Sequence, residues 1–544
     1  MENLRSKGQS VPEGATSEAL FGVGTVLYAD NVVQLKANIG SATRPIAVLA
    51  GYNAIGDGGG GVFYWNTSAA LVDDGGTILT HSAGGGAWVR IFTGAVNVRW
   101  FGAGLGGTDD APLIQKAIEA ALHDGVPWSA GKPTFTTGGT VCLPAGNYSI
   151  QQPIFIETAD ADFPHLGGWV SLRLVGDGKF NTHIRLVGPY TTAFIVGGLT
   201  GPDASRIRHC EISNLSIEQV ATEPQRVGGA ISFPYGGGLG FLISDIAMFG
   251  VYQGITCTAT GNFNNVTINN VSMDGVINCG IYTQYALNWI VQNTIINMST
   301  TAERGWVQGT FAVHLEGYSE GWMWNNVFLG AGDACLRSSN AIGAARPPTE
   351  HQFHSCNFDE GGRACIWVSN MHRCTFNGCW ASSQAAGQAE FNGAILTGGF
   401  VMDSPDVRAV NWLNGTMVNI SSYAFWVTDA ESFSIVNSTF SDWGQQGAAS
   451  TFQAITIYPH PHTNFIITGN TFLKDTDFGG QPSPWIGINV QSGSPAAAFN
   501  KYVVANNISY GQGGTSNLPG THGGTLADNG TAAGSKYVPS GGNL

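Results

Sequence analysis

The stretch Ala334-Cys335-Leu336-Arg337-Ser338-Ser339 returns in altered form every 30 residues through the second half of the chain. Each copy is a small residue followed by a short apolar run, and the copies begin at Ala334, Ala364, Ala394, Ala424 and Ala454. Less evenly spaced copies of the same pattern occur earlier, at Ala193, Ala230, Gly254, Gly280 and Ala312. A period of about 20–50 residues is typical of a repeat architecture.

A second run of strand-forming residues ending in asparagine accompanies each copy. The asparagines of these runs are Asn214, Asn270, Asn293, Asn326, Asn377, Asn437, Asn470 and Asn506. Glycine, asparagine and aspartate turns separate the runs, which indicates at least two short strands per repeat. Apolar residues at helical spacing are missing from the repeats, and a propeller blade needs about 40 residues. We therefore predict an all-β, right-handed parallel β-helix of about 11 coils, stacked about 4.8 Å apart, with the asparagines forming a ladder.

The composition limits the class of protein. The 544 residues include 77 Gly and only 11% charged residues, which is typical of an extracellular or structural protein. The net charge of −14 argues against nucleic-acid binding. The nine cysteines form no C-x-x-C pair, so we expect buried free thiols, no metal site and no cofactor. An export signal and an apolar run of about 18 residues are both missing from the sequence, so no membrane contact is expected.

One helix is predicted ahead of the repeats. Thr108-Asp109-Asp110 supplies capping residues, Pro112 suits a first turn, and the residues that share one apolar face are Leu113, Ala117, Ile118 and Ala121. Such a helix would cover the first coil and protect its open sheet edge.

Several motifs near the start resemble a known superfamily. They are Val96-Asn97-Val98-Arg99-Trp100-Phe101-Gly102-Ala103, Thr108-Asp109-Asp110, Gly139-Thr140-Val141, Leu143-Pro144 and Gly146-Asn147-Tyr148. This series resembles the opening of the pectate-lyase-like β-helix superfamily. The glycine-rich stretch Gly56–Trp65 before it is similar to the small β-rich region of many phage tailspikes and of capsule or O-antigen depolymerases.

The resemblance implies a domain order and a setting. It suggests an adaptor for virion attachment at 1–45, a small β-rich region at 46–98, the β-helix with its capping helix at 99–510 and a Gly/Ser/Thr-rich tail at 511–544. It further implies a homotrimer on a phage tail that binds tail or baseplate proteins through its N-terminus and acts at the bacterial surface. The chain departs from large tailspikes because the sequence indicates no sizeable head domain and no C-terminal trimerisation domain.

Acids, arginines and tryptophans concentrate in the middle coils. The predicted catalytic residues are Asp333, Asp359, Glu360 and Glu316, and the predicted substrate-binding residues are Arg337, Arg363, His314, Trp322, Trp367 and Trp380. Carboxylates on adjacent or alternate coils would lie about 5 or 10 Å apart, which brackets the spacing of glycosidase acid pairs. Indole rings can stack on sugar faces, although many indoles fill cores instead.

The predicted function is therefore a tailspike that binds and depolymerises a bacterial capsule or O-antigen by hydrolysis inside the glycan. A polysaccharide lyase needs a base and a cation beside the uronate, yet no lysine lies between Lys179 and Lys474, so hydrolysis is favoured. A bacterial lyase or transferase and a non-catalytic glycan-binding adhesin remain as alternatives. Glu303-Arg304, in a long insertion between repeats, is a candidate groove wall.

Overall fold

The chain folds into a small N-terminal sheet followed by a long stack of parallel strands. This computed structural model describes residues 26–41, 44–68, 71–122, 138–157, 170–188, 191–197, 207–220, 228–258, 263–299, 309–339, 346–382, 398–444, 454–458, 460, 462–473, 486–490, 501–510 and 525–528. Glu303, Arg304 and Ala394 lie outside these residues.

The N-terminal sheet has five strands and a short helix. The strands are β1 Val26–Ala29, β2 Ile46–Leu49, β3 Gly61–Asn66, β4 Ile78–Thr80 and β5 Ala87–Ile91, and helix α1 is Val32–Ala37. Their order is β1-β2-β3-β5-β4, with β1 parallel to β2 and the other neighbours antiparallel. Because β1 pairs with β2, the described part of this sheet includes residues ahead of the predicted boundary between residues 45 and 46.

The rest of the chain forms the predicted parallel β-helix, with three sheets that we call A, B and C. Sheet A contains Val96–Asn97, Gly139–Leu143, Leu172–Gly176, Phe263–Asn269, Gln352–His354, Thr375–Asn377, Val410–Leu413, Ser432–Val436, Asn464–Thr468 and Lys501–Ala505. Sheet B contains Gly146–Ile150, Thr182–Leu186, Ser272–Val276, Asn357–Asp359, Trp380–Ser382, Thr416–Ile420, Thr439–Trp443, Thr471–Leu473 and Ile508–Tyr510. Four longer strands run through A and B in turn: Arg208–Gln219, Leu239–Phe249, Ile290–Met298 and Met323–Gly330.

Sheet C forms the third side of each coil. Its strands are Ile154–Phe155, Phe194–Ile195, Gly229–Phe233, Gln253–Cys257, Cys279–Leu287, Phe311–Glu320, Ala334–Ser339, Ala364–Val368, Gly398–Asp403, Tyr423–Asp429, Ile455–Ile457, Ile486–Val490 and Thr525–Asp528. A separate parallel pair joins Met371–His372 to Val407–Arg408. Because Thr525–Asp528 pairs with Ile486–Val490, strand pairing continues beyond the predicted end of the β-helix at residue 510.

The corner between sheets A and B explains the recurrent asparagine. At this corner the backbone takes the left-handed conformation, with φ between 49° and 69°, at Asn214, Asp245, Asn270, Asn293, Asn326, Ser355, Gly378, Asn414, Asn437, Gly469 and Asn506. Asparagine and glycine tolerate this conformation better than most residues. The predicted ladder forms along the corner, where the Asn326 amide donates to the Asn293 Oδ1 at 3.0 Å. It moves inside only near the end, where buried Asn470 donates to Asn507 at 3.0 Å.

The register of sheet C corrects one step of the repeat. Ala334 pairs with Ala364 as the 30-residue period predicts, but the partner of Ala364 is Gly398 and not Ala394. The next step is shorter, because Phe400 pairs with Phe425. Coils of a β-helix vary in length at their turns while the strands stay in register, so a constant step in sequence does not guarantee alignment.

The interior is a continuous column of apolar and aromatic side chains. Trp289 stacks on Trp322 with ring centroids 4.7 Å apart, and Phe353 stacks on Phe376 at 4.4 Å. All nine cysteines are free, and eight are buried, as predicted. Such packing of successive coils supplies most of the buried apolar surface.

The predicted helix α2, Ala111–Leu122, packs its buried face on the first coil. Asp110, which directly precedes helix α2, also forms hydrogen bonds with neighbouring segments of the chain. Its Oδ1 accepts from the Gly104 amide at 2.8 Å and its Oδ2 from the Ser149 amide at 2.9 Å, so one buried carboxyl joins the helix to sheet B. Burial raises the pKa of Asp110.

Candidate functional site

One outward-facing column of sheet C combines polar and aromatic residues from successive coils. Tyr282, His314, Arg337 and Trp367 are register partners on four neighbouring strands. They are partly exposed, whereas the apolar residues next to them in each strand point inward. Adjacent strands lie about 4.8 Å apart, so these four side chains follow one another along the rod. Sheet C therefore brings together three of the predicted binding residues, His314, Arg337 and Trp367.

Two glutamates on this face each accept a hydrogen bond from a tyrosine hydroxyl. The Tyr282 hydroxyl donates to Glu316, and the Tyr318 hydroxyl donates to Glu320. Gln284 Nε2 donates to the Tyr282 oxygen at 2.7 Å and lies 3.3 Å from Glu316 Oε2. We call Tyr282, Glu316, Tyr318, Glu320 and the neighbouring His314 the glutamate site.

The backbone between the two glutamates is bent. Gly317 has a φ of 80°, and the register with the preceding strand shifts at this point. Four extended residues span at most about 13 Å, and the chain turns a corner at Gly317 between the two glutamates. The two carboxylates are partly exposed, so a ligand from solvent can reach them. The site thus offers two accessible acids within one strand.

His314 completes the glutamate site on the side of the next coil. Its Nε2 lies 2.7 Å from Ser339 Oγ, and its ring lies 5.4 Å from the Tyr282 ring. Burial lowers the pKa of His314 to about 4; the charge of Arg337 lowers it further, and Glu316 opposes the shift. The imidazole is therefore neutral near pH 7, and it can accept or donate a hydrogen bond according to its tautomer.

A second group of charged residues lies beside the glutamate site, and these residues contact mainly one another. Arg363 Nε donates to Asp333 Oδ1 at 2.5 Å, and a second guanidinium nitrogen pairs with Oδ2. The Trp367 ring contacts both arginines, with Arg337 Cζ 4.0 Å and Arg363 Cζ 4.5 Å from its centroid. Trp367 Nε1 donates to Asp403 Oδ2 at 2.8 Å. We call these five residues the arginine cluster.

The arginine cluster changes the predicted roles of two residues. Asp333 is fully buried, and its Oδ2 also accepts from the Gly309 amide at 2.8 Å, so it has no surface with which to reach a substrate. Two guanidinium groups cover the Trp367 ring, which reduces the area free for a sugar. Burial lowers the pKa of Arg337 to about 10, so this side chain stays charged at neutral pH.

Trp322 was predicted to bind substrate, and this is wrong. Its side chain is fully buried, stacked between Trp289 and Trp324, and its Nε1 donates to the Ala286 carbonyl at 3.1 Å. Apolar periodicity could not distinguish an inward from an outward indole at the end of a strand.

Asp359, Glu360 and Trp380 lie apart from the glutamate site. Asp359 ends a strand of sheet B and accepts from Ser382 Oγ at 2.6 Å, and exposed Glu360 follows in the left-handed conformation with φ 59°. Trp380 is 49% exposed on the outer face of sheet B. The strand Ala334–Ser339, about 16 Å of extended chain, separates this corner from the Glu316 side of sheet C. The structure does not bring these three residues to Glu316.

The sequence prediction missed both tyrosines of the site. Tyr318 precedes Glu320 by two residues, and side chains at this spacing share a strand face. That pattern could have revealed the pairing, whereas Tyr282 comes from the previous coil and required the register. Among the described residues, no helix is both long and apolar enough to span a membrane.

Comparison with known families assigns the two parts of the chain. Residues 28–93 match the phage tail protein small four-stranded β-sheet domain, which contains β2 to β5. Residues 95–302 match the rhamnogalacturonase A/epimerase, pectate lyase-like family. Residues 28–93 therefore resemble a phage tail domain and residues 95–302 resemble a pectate-lyase-like family, and each match covers less than half of the chain. The motifs at Val96–Ala103 and Gly139–Tyr148 that suggested this superfamily lie within the second match.

Solved structures of phage proteins resemble this chain at low identity. Tailspike protein 2 from Escherichia coli O157:H7 bacteriophage CAB120 is 13% identical, with a TM-score of 0.49, and the match covers 90% of this chain and 52% of that one. The pre-mature bacteriophage phi29 gene product 12 is 15% identical, with a TM-score of 0.54, and the match covers 77% and 52%. The chain therefore spans about half the length of these two proteins, and the likeness to the second supports the fold.

Proposed function

We propose that this chain is a tailspike that binds a bacterial surface polysaccharide along sheet C and cleaves it at the glutamate site. Three observations support the proposal: the phage tail domain, the pectate-lyase-like family match and the accessible Tyr282–Glu316 and Tyr318–Glu320 pairs. The observation on which it depends most is that two accessible glutamates, each held by a tyrosine, share one strand.

The proposed reaction is hydrolysis with inversion. An inverting glycosidase needs two carboxyl groups roughly 6.5–9.5 Å apart, with one protonating the leaving oxygen and the other removing a proton from water. Glu316 and Glu320 lie four residues apart across the bend at Gly317, which is compatible with that spacing. We assign Glu316 as the acid and Glu320 as the base. Tyr282 and Tyr318 orient the two carboxyl groups.

This proposal replaces part of the predicted catalytic set. Glu316 stays as a catalytic residue, and His314 and Arg337 stay as residues that contact the glycan. Asp333 becomes a structural residue that pairs with Arg363, because it is fully buried. Asp359, Glu360 and Trp380 remain candidates for a separate contact on sheet B, at the corner described above.

Elimination is the second candidate reaction, and one observation favours it. Neutral His314 lies in register with charged Arg337, so a base and a cation occur on neighbouring strands. A lyase requires a base near the sugar C5 and a positive charge beside the uronate carboxylate. Such a reaction needs no glutamate pair and leaves an unsaturated sugar at the new chain end.

The test is a panel of capsular and O-antigen polysaccharides incubated with the wild type, Glu316→Gln, Glu320→Gln and a control. The control is Glu350→Gln, an exposed glutamate in an ion pair with Arg373. We expect each site variant to release reducing ends at least about 100-fold more slowly, since general acid–base catalysis contributes roughly 10²–10⁴-fold. The control should match the wild type.

The products separate the candidate functions. Mass analysis that shows water added to each fragment supports hydrolysis, and ultraviolet absorbance from an unsaturated uronate supports elimination. A polysaccharide that binds to the wild type without being cut supports a glycan-binding adhesin. Equal rates in the wild type and both glutamine variants would remove the glutamate site from the proposal.

We further propose that the N-terminal sheet attaches the protein to phage tail or baseplate proteins and that the protein is a homotrimer. The match of residues 28–93 to a phage tail domain supports the attachment. Light scattering on the purified full chain tests the trimer, and pull-down of tail proteins by residues 1–98 and by the full chain tests the attachment.

A further inference from the structure

Three potential metal ligands meet on sheet C, on the C-terminal side of the glutamate site and of the arginine cluster. Asp429 ends the strand Tyr423–Asp429, and His460 and His462 follow the strand Ile455–Ile457 of the next coil. Their ligand atoms all lie within 4.8 Å of one another. The sequence signal is the pair of histidines separated by one residue. The expectation of no metal site depended on the cysteine pattern, and that pattern takes no account of this pair of histidines.

The distances between donor atoms suit a shared metal ion. His462 Nε2 lies 2.8 Å and His460 Nδ1 lies 3.9 Å from Asp429 Oδ1. Ligand atoms around a tetrahedral zinc ion are about 3.3 Å apart, given metal–ligand bonds of about 2.0–2.1 Å. The two observed distances lie on either side of this value, so small rotations of the imidazole rings would bring all three donors to one ion.

The backbone holds the three ligands in place. The Asn464 amide donates to the Glu431 carbonyl at 2.9 Å, and Thr463 Oγ1 donates to the Ala430 carbonyl at 2.8 Å. The Thr463 amide also donates to the His460 carbonyl at 3.0 Å, which closes the turn between the histidines. Since the first two bonds connect the two coils next to the cluster, binding an ion requires little rearrangement of the chain.

The surroundings leave room for further ligands. The side chains of His460 and His462 are 39% and 41% exposed, and that of Asp429 is 19% exposed. Asp403, the register partner of Asp429, adds a second carboxylate on the neighbouring strand. Its Oδ1 is buried without a hydrogen-bond partner. A cation at the cluster would be attracted by both carboxylates, and water could complete its coordination.

We propose that Asp429, His460 and His462 bind a divalent transition-metal ion, of which zinc is the best match. Two imidazoles and one carboxylate suit zinc and its first-row neighbours, whereas calcium and magnesium prefer sites made only of oxygen. The ion would connect two successive coils at the C-terminal part of sheet C and so stabilise their stacking. This site does not depend on the proposed polysaccharide activity.

The experiment uses the full chain without a histidine tag, stripped with a chelator and then dialysed. Calorimetric titration with zinc chloride should show one ion bound per chain, and cobalt chloride should give the visible absorption bands of a coordinated ion. The melting temperature should rise when zinc is added. The variants are Asp429→Asn, His462→Gln and His460→Gln, and the control is His354→Gln, whose imidazole lies on sheet A.

We expect each ligand variant to bind zinc at least about 100-fold more weakly, because even loss of a residue that only supports a ligand costs roughly 10–100-fold. The control should bind as the wild type does. Equal zinc binding in the wild type and in all three ligand variants would show an adventitious ion only and would overturn the proposal, as would a wild type that binds none. If Asp429→Asn does not fold, His460→Gln still decides, since the imidazole of His460 is beyond hydrogen-bond distance of the carboxylate.

Discussion

The glutamate site and the arginine cluster are neighbours on sheet C, yet their carboxylates differ in burial and in the partners that they bind. In the arginine cluster, Asp333 is fully buried and pairs with a guanidinium group. In the glutamate site, Glu316 and Glu320 face solvent in part, and each receives a tyrosine hydroxyl, with Gln284 Nε2 also donating to Glu316. A compensated, buried charge supports structure, whereas an accessible acid without a cation partner can exchange protons. This difference in burial and pairing distinguishes the roles of the two groups of residues, which their positions in the repeat do not.

The largest expected effect comes from breaking the ion pair of the arginine cluster. Asp333→Ala leaves the Arg363 guanidinium partly buried without its carboxylate, which should destabilise the protein by about 3 kcal/mol. Denaturant unfolding measures the loss, and cleavage per folded molecule should stay unchanged. The double variant Asp333→Leu with Arg363→Met should recover much of the stability. Lost cleavage at normal stability would instead return Asp333 to the catalytic residues.

The next effect concerns the hydroxyl group that holds the proposed acid. Tyr282→Phe removes one hydrogen bond to Glu316, and a hydrogen bond to a protonated carboxyl group contributes about 0.5–1.5 kcal/mol. The rate of polysaccharide cleavage should therefore fall by roughly 2- to 10-fold, with the melting temperature little changed. Tyr64→Phe in the N-terminal sheet is the matched control. A cleavage rate as in the wild type would show that the hydroxyl does not position Glu316.

A further effect, spread over several pH units, should appear in the dependence of stability on pH. The pKa of His314 is about 4 in the folded protein and 6.5 in the reference state, so the unfolded chain takes up the proton more readily. The contribution of His314 is complete above about pH 6.5 and is lost as the pH falls towards 4, by at most about 1.4 kcal/mol per pH unit.

Replacing His314 by Gln should flatten this part of the unfolding profile, and replacing the sheet A residue His354 by Gln should not. Unfolding free energies between pH 4 and 7 provide the measurement. Identical slopes in the wild type and His314→Gln would show that the imidazole is not held neutral.

The smallest effect is expected on sheet B. Trp380→Ala alters an indole that is 49% exposed on a different face from the glutamate site, so the cleavage rate should not change. A large loss of polysaccharide binding in this variant, measured by calorimetry, would extend the glycan path onto sheet B and would restore the predicted role of Trp380.

Most of the fold could be predicted from the sequence, because each coil repeats the same local rules. Corner residues such as Asn293 and Asn326 need the left-handed conformation, and that requirement is visible in a single chain. The step from Ala364 to Gly398 was not predictable, because an insertion in a turn alters the spacing without altering the register. Composition alone gave no reason to choose Gly398 rather than Ala394 as the register partner of Ala364.

The site was only partly predictable for a related reason. The repeat placed Glu316, His314 and Arg337 near one another, and the structure confirms that they share a face. Burial determines which of the other predicted residues can reach a substrate. Nothing in the local sequence distinguishes the buried carboxylate of Asp333 from an accessible one. The tyrosines were missed because an aromatic residue in a strand usually fills a core.

The free thiols have a consequence for durability outside the cell. Since none of the nine cysteines is cross-linked, the rod is held together by noncovalent contacts between coils. A reducing medium has no disulfide to open, and an oxidant meets thiols of which eight are shielded by neighbouring side chains. A change from reducing to oxidising surroundings should therefore leave the eight buried thiols and the noncovalent contacts between coils unaltered.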